Sequence, residues 1–277
     1  MKTGWKVFWI MCAVILAIGF ACCAAAMGLG VTLEAIHNRF PDGFGYVDSG
    51  SEGSAKDIHE SFAGITEIDA ELFAGDVSVY VTDESEIRVE TSGLSRRLGF
   101  RCYTEDNELK LETNMKLFRV NNAGKGKIKI YIPRGMRFRE ASFEMGAGTL
   151  TIEEIYADDF SVKVGAGDIE VTDFQAYEGK LECGAGNIFA KGFVESDVDI
   201  SCGVGQIEFT ACGYETDYDY EIDCAVGEVI CGSMDYSGLG RSKKVDNRAG
   251  REMEISTGAG SVVVHFDETD VHHREHE

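Results

Sequence analysis

Proline is nearly absent from this 277-residue chain, at two residues, and cations are scarce, with 26 Lys and Arg against 48 Asp and Glu for a formal net charge of −22. So acidic a chain is a poor partner for nucleic acid, because phosphate binding relies on clustered Lys and Arg. The shortage of proline excludes collagen-like and proline-rich disordered chains and leaves strands free to pair. No Cys-x-x-Cys pair occurs among the nine cysteines, so the spacing typical of structural zinc sites is missing. Beyond the amino terminus no stretch carries the 3.6-residue period of an amphipathic helix. Glycine, in contrast, is plentiful at 33 residues, and 44% apolar residues suffice for a packed core.

The amino terminus gives the clearest single signal. Residues 7–33 hold no charge over 27 positions, and about 20 apolar residues span a bilayer core. Lys2 and Lys6 precede this run, while Glu34, Asp42 and Asp48 follow it, with Arg39 the one nearby cation. The positive-inside rule then keeps the amino terminus in the cytoplasm and sends the body outward. Residues 1–33 are expected to form a cytoplasmic stub and one transmembrane helix, in a single-pass protein of the cell membrane. The rival reading is a cleaved signal peptide, with Ala24-Ala25-Ala26 as the cleavage site. Residues 34–61, rich in Gly, Ser, Asp and Glu, read as a linker. Residues 267–277 read as a disordered tail whose His272, His273 and His276 have no spacing that fixes a metal geometry.

Past the linker, apolar and polar residues alternate, as over 66–72, 76–79 and 127–132, which marks half-buried strands. Internal repeats then decide the architecture. Gly146-Ala147-Gly148, Gly165-Ala166-Gly167, Gly184-Ala185-Gly186 and Gly203-Val204-Gly205 recur every 19 residues; Ala225-Val226-Gly227 follows after 22 and Gly258-Ala259-Gly260 after a further 33. The last glycines, Gly148, Gly167, Gly186, Gly205, Gly227 and Gly260, serve as reference points. Five positions before them stand Phe143, Val162, Leu181, Ile200, Ile222 and Ile255. Three before stand Met145, Val164, Cys183, Cys202, Cys224 and Thr257, and two after stand Leu150, Ile169, Ile188, Ile207, Val229 and Val262. Matched columns at a fixed period predict stacked coils that share one core, with strands about 4.8 Å apart. The Gly-x-Gly element is expected to bend the chain, its middle Ala or Val filling a narrow inward position. Asn187 and Gln206, one residue after the bend, either form an amide ladder or stand solvated.

These residues resemble a bacterial family of β-strand-repeat domains known as putative adhesins. The resemblance covers roughly residues 62–266. It rests on Phe62-Ala63-Gly64-Ile65, on Ile130-Tyr131-Ile132-Pro133-Arg134-Gly135, and on units such as Gly165-Ala166-Gly167-Asp168-Ile169. It implies an envelope protein, often with one membrane segment, and brings no catalytic residues. The chain departs from the pattern at Ala225 and over residues 232–251, which interrupt the spacing.

Several constellations bear on chemistry. Cys183, Cys202 and Cys224 share an inward column and read as free thiols filling the core, whereas Cys212 and Cys231 share no column. Asp168 after its glycine is too isolated for a stacked calcium site. Tyr218 and Tyr220 alternate with Asp217, Asp219, Glu221 and Asp223, which reads as one aromatic and one solvated acidic face. Tyr214 lies near a turn, free to stack on a ligand. Arg241, Lys243, Lys244, Arg248 and Arg251 form the densest basic cluster past the amino terminus, on an expected solvated loop.

The fold class expected is all-β: one transmembrane helix, then a single parallel β-solenoid of ~19-residue coils over 62–266, its less regular first part (about 62–139) capping the coils. The function expected is a non-enzymatic, adhesin-like surface protein without cofactor or metal, binding a cell-envelope polymer or a membrane protein. Tyr214, Arg241, Lys243 and Lys244 are the expected contacts. The alternative is a polysaccharide-active β-helix lyase or hydrolase.

Overall fold

The computed structural model describes residues 55–113 and 126–268. The expected membrane segment, most of the linker and nearly all of the tail lie outside the described residues. Among the described residues no helix is long and apolar enough to cross a membrane, and helix is confined to two 3-10 turns, Arg96–Leu98 and Glu215–Asp217.

Seventeen strands join in one continuous sheet. In chain order they are β1 (His59–Phe62), β2 (Glu67–Thr82), β3 (Ile87–Ser92), β4 (Arg101–Glu105), β5 (Glu108–Glu112), β6 (Lys127–Pro133), β7 (Arg137–Ile152), β8 (Ile155–Cys183) and β9 (Asn187–Val194). Then follow β10 (Asp197–Cys202), β11 (Gln206–Cys212), β12 (Tyr218–Cys224), β13 (Glu228–Cys231), β14 (Met234–Asp235), β15 (Arg241–Val245), β16 (Arg251–Thr257) and β17 (Ser261–Asp267). Three of the four residues of β1 lie within the stretch expected as linker, so the sheet begins slightly earlier than composition suggested.

Each coil has a strand before the glycine corner and a strand after it, stacked in parallel on the next coil. Gly148 sits on Gly167 in the β7–β8 register, and Asp168 sits on Asn187 in the β8–β9 register. Cys183 sits on Cys202, and Asn187 on Gln206. The three columns expected from the repeats are all buried, including Thr257, the one polar member, in the Cys column. Each Ile, Leu, Val or Phe so buried contributes about 1.5–3 kcal/mol, and the stack adds the tilted Phe160–Phe174 and stacked Phe174–Phe209 ring pairs at 4.7 and 5.9 Å.

The stacking order departs from chain order at both ends. β16 and β17 pair in parallel with β10 and β11 on one side and with β12 and β13 on the other. The last coil therefore slides between the coil of 197–212 and the coil of 218–231. Residues 232–251 are accordingly no solvated loop: β14 and β15 run antiparallel along the outer side of β13 and β12 and cap the stack. The tight turn at Gly232 (φ 54°) sends β14 and β15 back along the outer side, leaving the inner side as the place for the last coil. The other end mirrors this. β2 lies between β7 and the pair β5 and β6, while β3 and β4 add antiparallel strands outside and β1 a further one. The expected capping first part thus contributes two parallel coils of its own.

The corner also differs from expectation. Its middle residue points outward, with Val204 69% and Val226 63% exposed. Glycine is required because successive backbones approach closely. A Cβ on Gly184 would stand 2.8 Å from the Gly165 carbonyl oxygen, and one on Gly258 would stand 2.8 Å from that of Gly203. Left-handed backbone contributes clearly only at Gly148, with φ 117°.

A Cβ on Gly167 would collide with the Gly148 carbonyl oxygen, whereas Glu170 is exposed. Gly167→Val should therefore destabilise by ~1–3 kcal/mol or more in urea denaturation, and Glu170→Gln by less than ~0.5 kcal/mol. Equal shifts for the two would contradict the stacked corner.

Candidate functional site

In-register stacking places like residues on like, and on the outer face before the corner this builds a carboxylate ladder. The position eight residues before each reference glycine is acidic throughout. Glu108, Glu67, Glu140 and Asp159 follow one another in register; Glu178 continues the column, and Asp197, Glu252 and Asp219 complete it. The ends of the ladder are neutralised. Lys110 lies 3.1 Å from Glu108, Arg139 pairs with Glu67, and Lys244 reaches within 3.9 Å of Glu252. Asp219 accepts hydrogen bonds from the backbone N–H of Asn247 (2.7 Å) and Ala249 (3.2 Å).

The middle members Glu140, Asp159, Glu178 and Asp197 line a groove of about 510 Å3. Arg137 approaches only the flanking Asp158 and Glu195, and Lys180 turns to Glu182 (2.7 Å) and Asp199 (3.8 Å). The next outward column adds Asp69, whose carboxyl is held above the usual carboxylate range by burial and then by the charges of Glu71, Glu108 and Glu140.

Nearer the corner, a second depression of about 560 Å3 spans the coil of 197–212, the inserted coil and the cap. Its floor comes from the column four residues before the reference glycine. That column carries long charged side chains at Glu144, Lys163 and Glu182, then shortens to Ser201 and Ser256. The Ser256 hydroxyl donates to Ser201 Oγ at 3.1 Å. Asp223 and its cross-strand neighbour Ser242 close one side.

Of the expected contacts, Arg241, Lys243 and Lys244 fall on the cap and Tyr214 does not, so they are not brought together. Lys244 bonds Glu221 at 2.9 Å; Arg241 lies opposite Cys224, and its Nε would stand 2.9 Å from a Cβ on Gly238. Lys243 is exposed opposite Ile222. Tyr214, 40% exposed, precedes the 3-10 turn at the far end of β12, so β12, about 20 Å of strand, separates it from Arg241. Tyr220 is buried as its parity required, and its hydroxyl donates to the Glu215 carbonyl oxygen.

The amide ladder gives way to local pairs. The Asn187 amide donates to Asp168 at 2.7 Å, as Thr149 does to Asp76 at 3.0 Å. Cys183, Cys202, Cys224 and also Cys231 are buried free thiols, and Cys212 is buried as well. The Cys183 thiol donates to the Gly186 carbonyl oxygen (2.9 Å) and that of Cys224 to Gly227 (3.2 Å). Burial pushes Cys202 up to about 11 and Cys231 up to about 12, so both stay protonated at neutral pH and are poor nucleophiles. Among the described residues no group of three or more His, Cys, Asp or Glu side chains could hold a metal ion.

Comparison with known proteins gives a family and a set of solved folds. Residues 65–271 match the model of the family described as Toastrack DUF4097. No curated protein matches the chain. A putative cell adhesion protein from Clostridium sporogenes ATCC 15579 is 14% identical, with 76% of this chain and 99% of that one covered at a TM-score of 0.44. A putative adhesin from Bacteroides fragilis NCTC 9343 is 16% identical, with 78% and 100% covered at a TM-score of 0.38.

The raised Asp69 carboxyl has a signed consequence. Its ionised form is disfavoured in the fold, so it costs stability above its folded pKa, and the cost disappears as the pH falls below the ordinary carboxylate range. Asp69→Asn should therefore melt higher than the parent at pH 7, with the two curves converging towards pH 3. A variant less stable at pH 7 would contradict this placement.

Proposed function

Because the chain belongs to the Toastrack DUF4097 family, we propose that it is a non-enzymatic, adhesin-like surface protein, anchored by residues 7–33, whose extracytoplasmic stack binds a polymer of the cell envelope. The observation that carries this reading is the run Glu140, Asp159, Glu178 and Asp197 along one groove. Backbone pairing holds these carboxylates at the coil spacing, about 4.8 Å apart. A surface that repeats suits a ligand that repeats, and uncompensated negative charge favours a polymer bearing amines. Arg241, Lys243 and Lys244 on the cap, with Tyr214 beyond β12, form a second contact in this proposal, for acidic groups of the same polymer.

Catalysis would call for acid and base groups whose environments push their pKa values apart. The ladder is instead a row of exposed carboxylates along an open groove, a surface that supports binding.

The anchor has its own test. The full chain should stay with membranes after alkaline carbonate washing, with its carboxyl terminus open to external protease. A soluble species starting near Met27 would mean a cleaved signal peptide.

Binding is tested by sedimentation of the full chain, in detergent, with isolated cell walls. The protein should pellet at low salt and be released at high salt. Converting Glu140, Asp159, Glu178 and Asp197 to their amides should release about tenfold more of it. Arg241, Lys243 and Lys244 changed to Ala should give a smaller loss and a flatter salt response. Release of reducing ends from the walls would overturn the non-enzymatic reading in favour of a polysaccharide-active enzyme.

A further inference from the structure

The depression between the inserted coil and the cap has a chemistry unlike the rest of the acidic face. Elsewhere its column carries Glu or Lys; here Ser201 and Ser256 leave an open space of about 560 Å3, within the ~300–1,000 Å3 usual for small-molecule sites. The two serine hydroxyls are already hydrogen-bonded to each other at 3.1 Å, so their orientation is set before any ligand arrives. Asp223 at the side is exposed, and its carboxylate makes no ion pair or hydrogen bond with the described residues. Its carboxylate can accept from two neighbouring hydroxyls.

The other border is apolar. Gly203, Ala225 and Gly240 line the depression, and the next residue at two of these corners and the preceding one at the third project outward: Val204, Val226 and Leu239, 69%, 63% and 65% exposed. With Ala259 of the inserted coil standing between Val204 and Val226, these exposed side chains give an aliphatic margin beside hydroxyls, one carboxylate and the Arg241 guanidinium, an amphipathic cleft. Its two sides match the two faces of a pyranose ring, a hydroxyl-bearing edge and a C–H face.

We infer that the cleft formed by Ser201, Ser256, Asp223 and Ser242 against the Val226–Leu239 ridge is a binding subsite for a neutral pyranose unit. The inference rests on the envelope-polymer reading and names the sugar chemistry of that ligand. Glycoside hydrolysis needs two carboxyl groups flanking the bond, and Asp223 is the one carboxylate lining this cleft, so the subsite holds a sugar without cleaving it. Arg241 also lines the cleft, so its one cation balances its one carboxylate, and a net-neutral lining suits a neutral sugar. The subsite exists only through the threading of the last coil, which sets Ser256 between Ser201 and Asp223, residues 55 and 33 positions away in the chain.

The test uses the full chain in detergent, with chitotetraose, cellotetraose and tetragalacturonate as probes, read by saturation-transfer NMR and titration calorimetry. At least one neutral tetrasaccharide should bind, and the anionic one should not. Ser256→Gln refills the column with a side chain of the length that Glu182 and Glu144 already show it tolerates, so the melting temperature should hold while binding is lost. Asp223→Asn should weaken binding about tenfold, the loss expected for one hydrogen bond to a charged group, and Glu170→Gln should leave it unchanged. Binding that survives Ser256→Gln, or no binding of either neutral probe, overturns the subsite. If walls still sediment the protein in that case, the envelope reading stands and only the subsite falls; if they do not, the envelope reading falls as well.

Discussion

The whole stack depends on one steric condition: the corner backbone of each coil lies against the corner of the next with no room for a side chain. A Cβ at Gly165 would stand 2.7 Å from the Gly146 carbonyl oxygen, and one at Gly260 would stand 2.6 Å from that of Gly205. With glycine there, neighbouring peptides bond directly, as Ala259 N–H does to the Gly203 carbonyl oxygen at 2.8 Å. That contact locks the register, since a slip of one residue would turn every inward side chain outward. Once register is locked, residues of equal rank must stack, whatever their chemistry.

Stacking like on like has opposite results inside and outside. Inside, rows of Ile, Val, Leu and Phe bury one another, and the thiol column caps corner carbonyls at Gly186 and Gly227. Outside, the same rule aligns carboxylates that repel, and the fold relieves this at the ladder's ends with Lys110, Arg139 and Lys244. Its middle is left charged. Structural need does not explain four adjacent carboxylates without an ion pair among the described residues, which is why that groove, and not the cap cations alone, is central to the proposed binding role.

A parallel stack also leaves open strand edges, which invite unwanted pairing. Both ends meet this with the same device, a coil placed out of chain order and antiparallel strands laid outside it. At the carboxyl-terminal end the outermost strand is β15, and its exposed Arg241, Lys243 and Lys244 discourage a further strand from adding. A basic cluster that looked like a loop is thus part of the solenoid's closure. The same threading draws Ser256 beside Ser201 and gives the acidic face a cleft floored with hydroxyls.

Much of this was legible in the chain itself. The glycine period, the three apolar columns and the inward thiols at Cys183, Cys202 and Cys224 follow from spacing, because side-chain direction in a strand alternates strictly. The carboxylate ladder could have been read from the same alignment, since Glu140, Asp159, Glu178, Asp197, Asp219 and Glu252 hold one rank in it. Spacing cannot say which coil lies on which. The columns of 197–212, 218–231 and 251–267 match one another equally well, so any stacking order would satisfy the pattern. Only the tertiary structure decided it, because β14 and β15 run back along the outer side of β13 and β12 and leave the last coil the space within. Local pattern sets which way each residue faces, and chain connectivity in three dimensions sets which residues become neighbours.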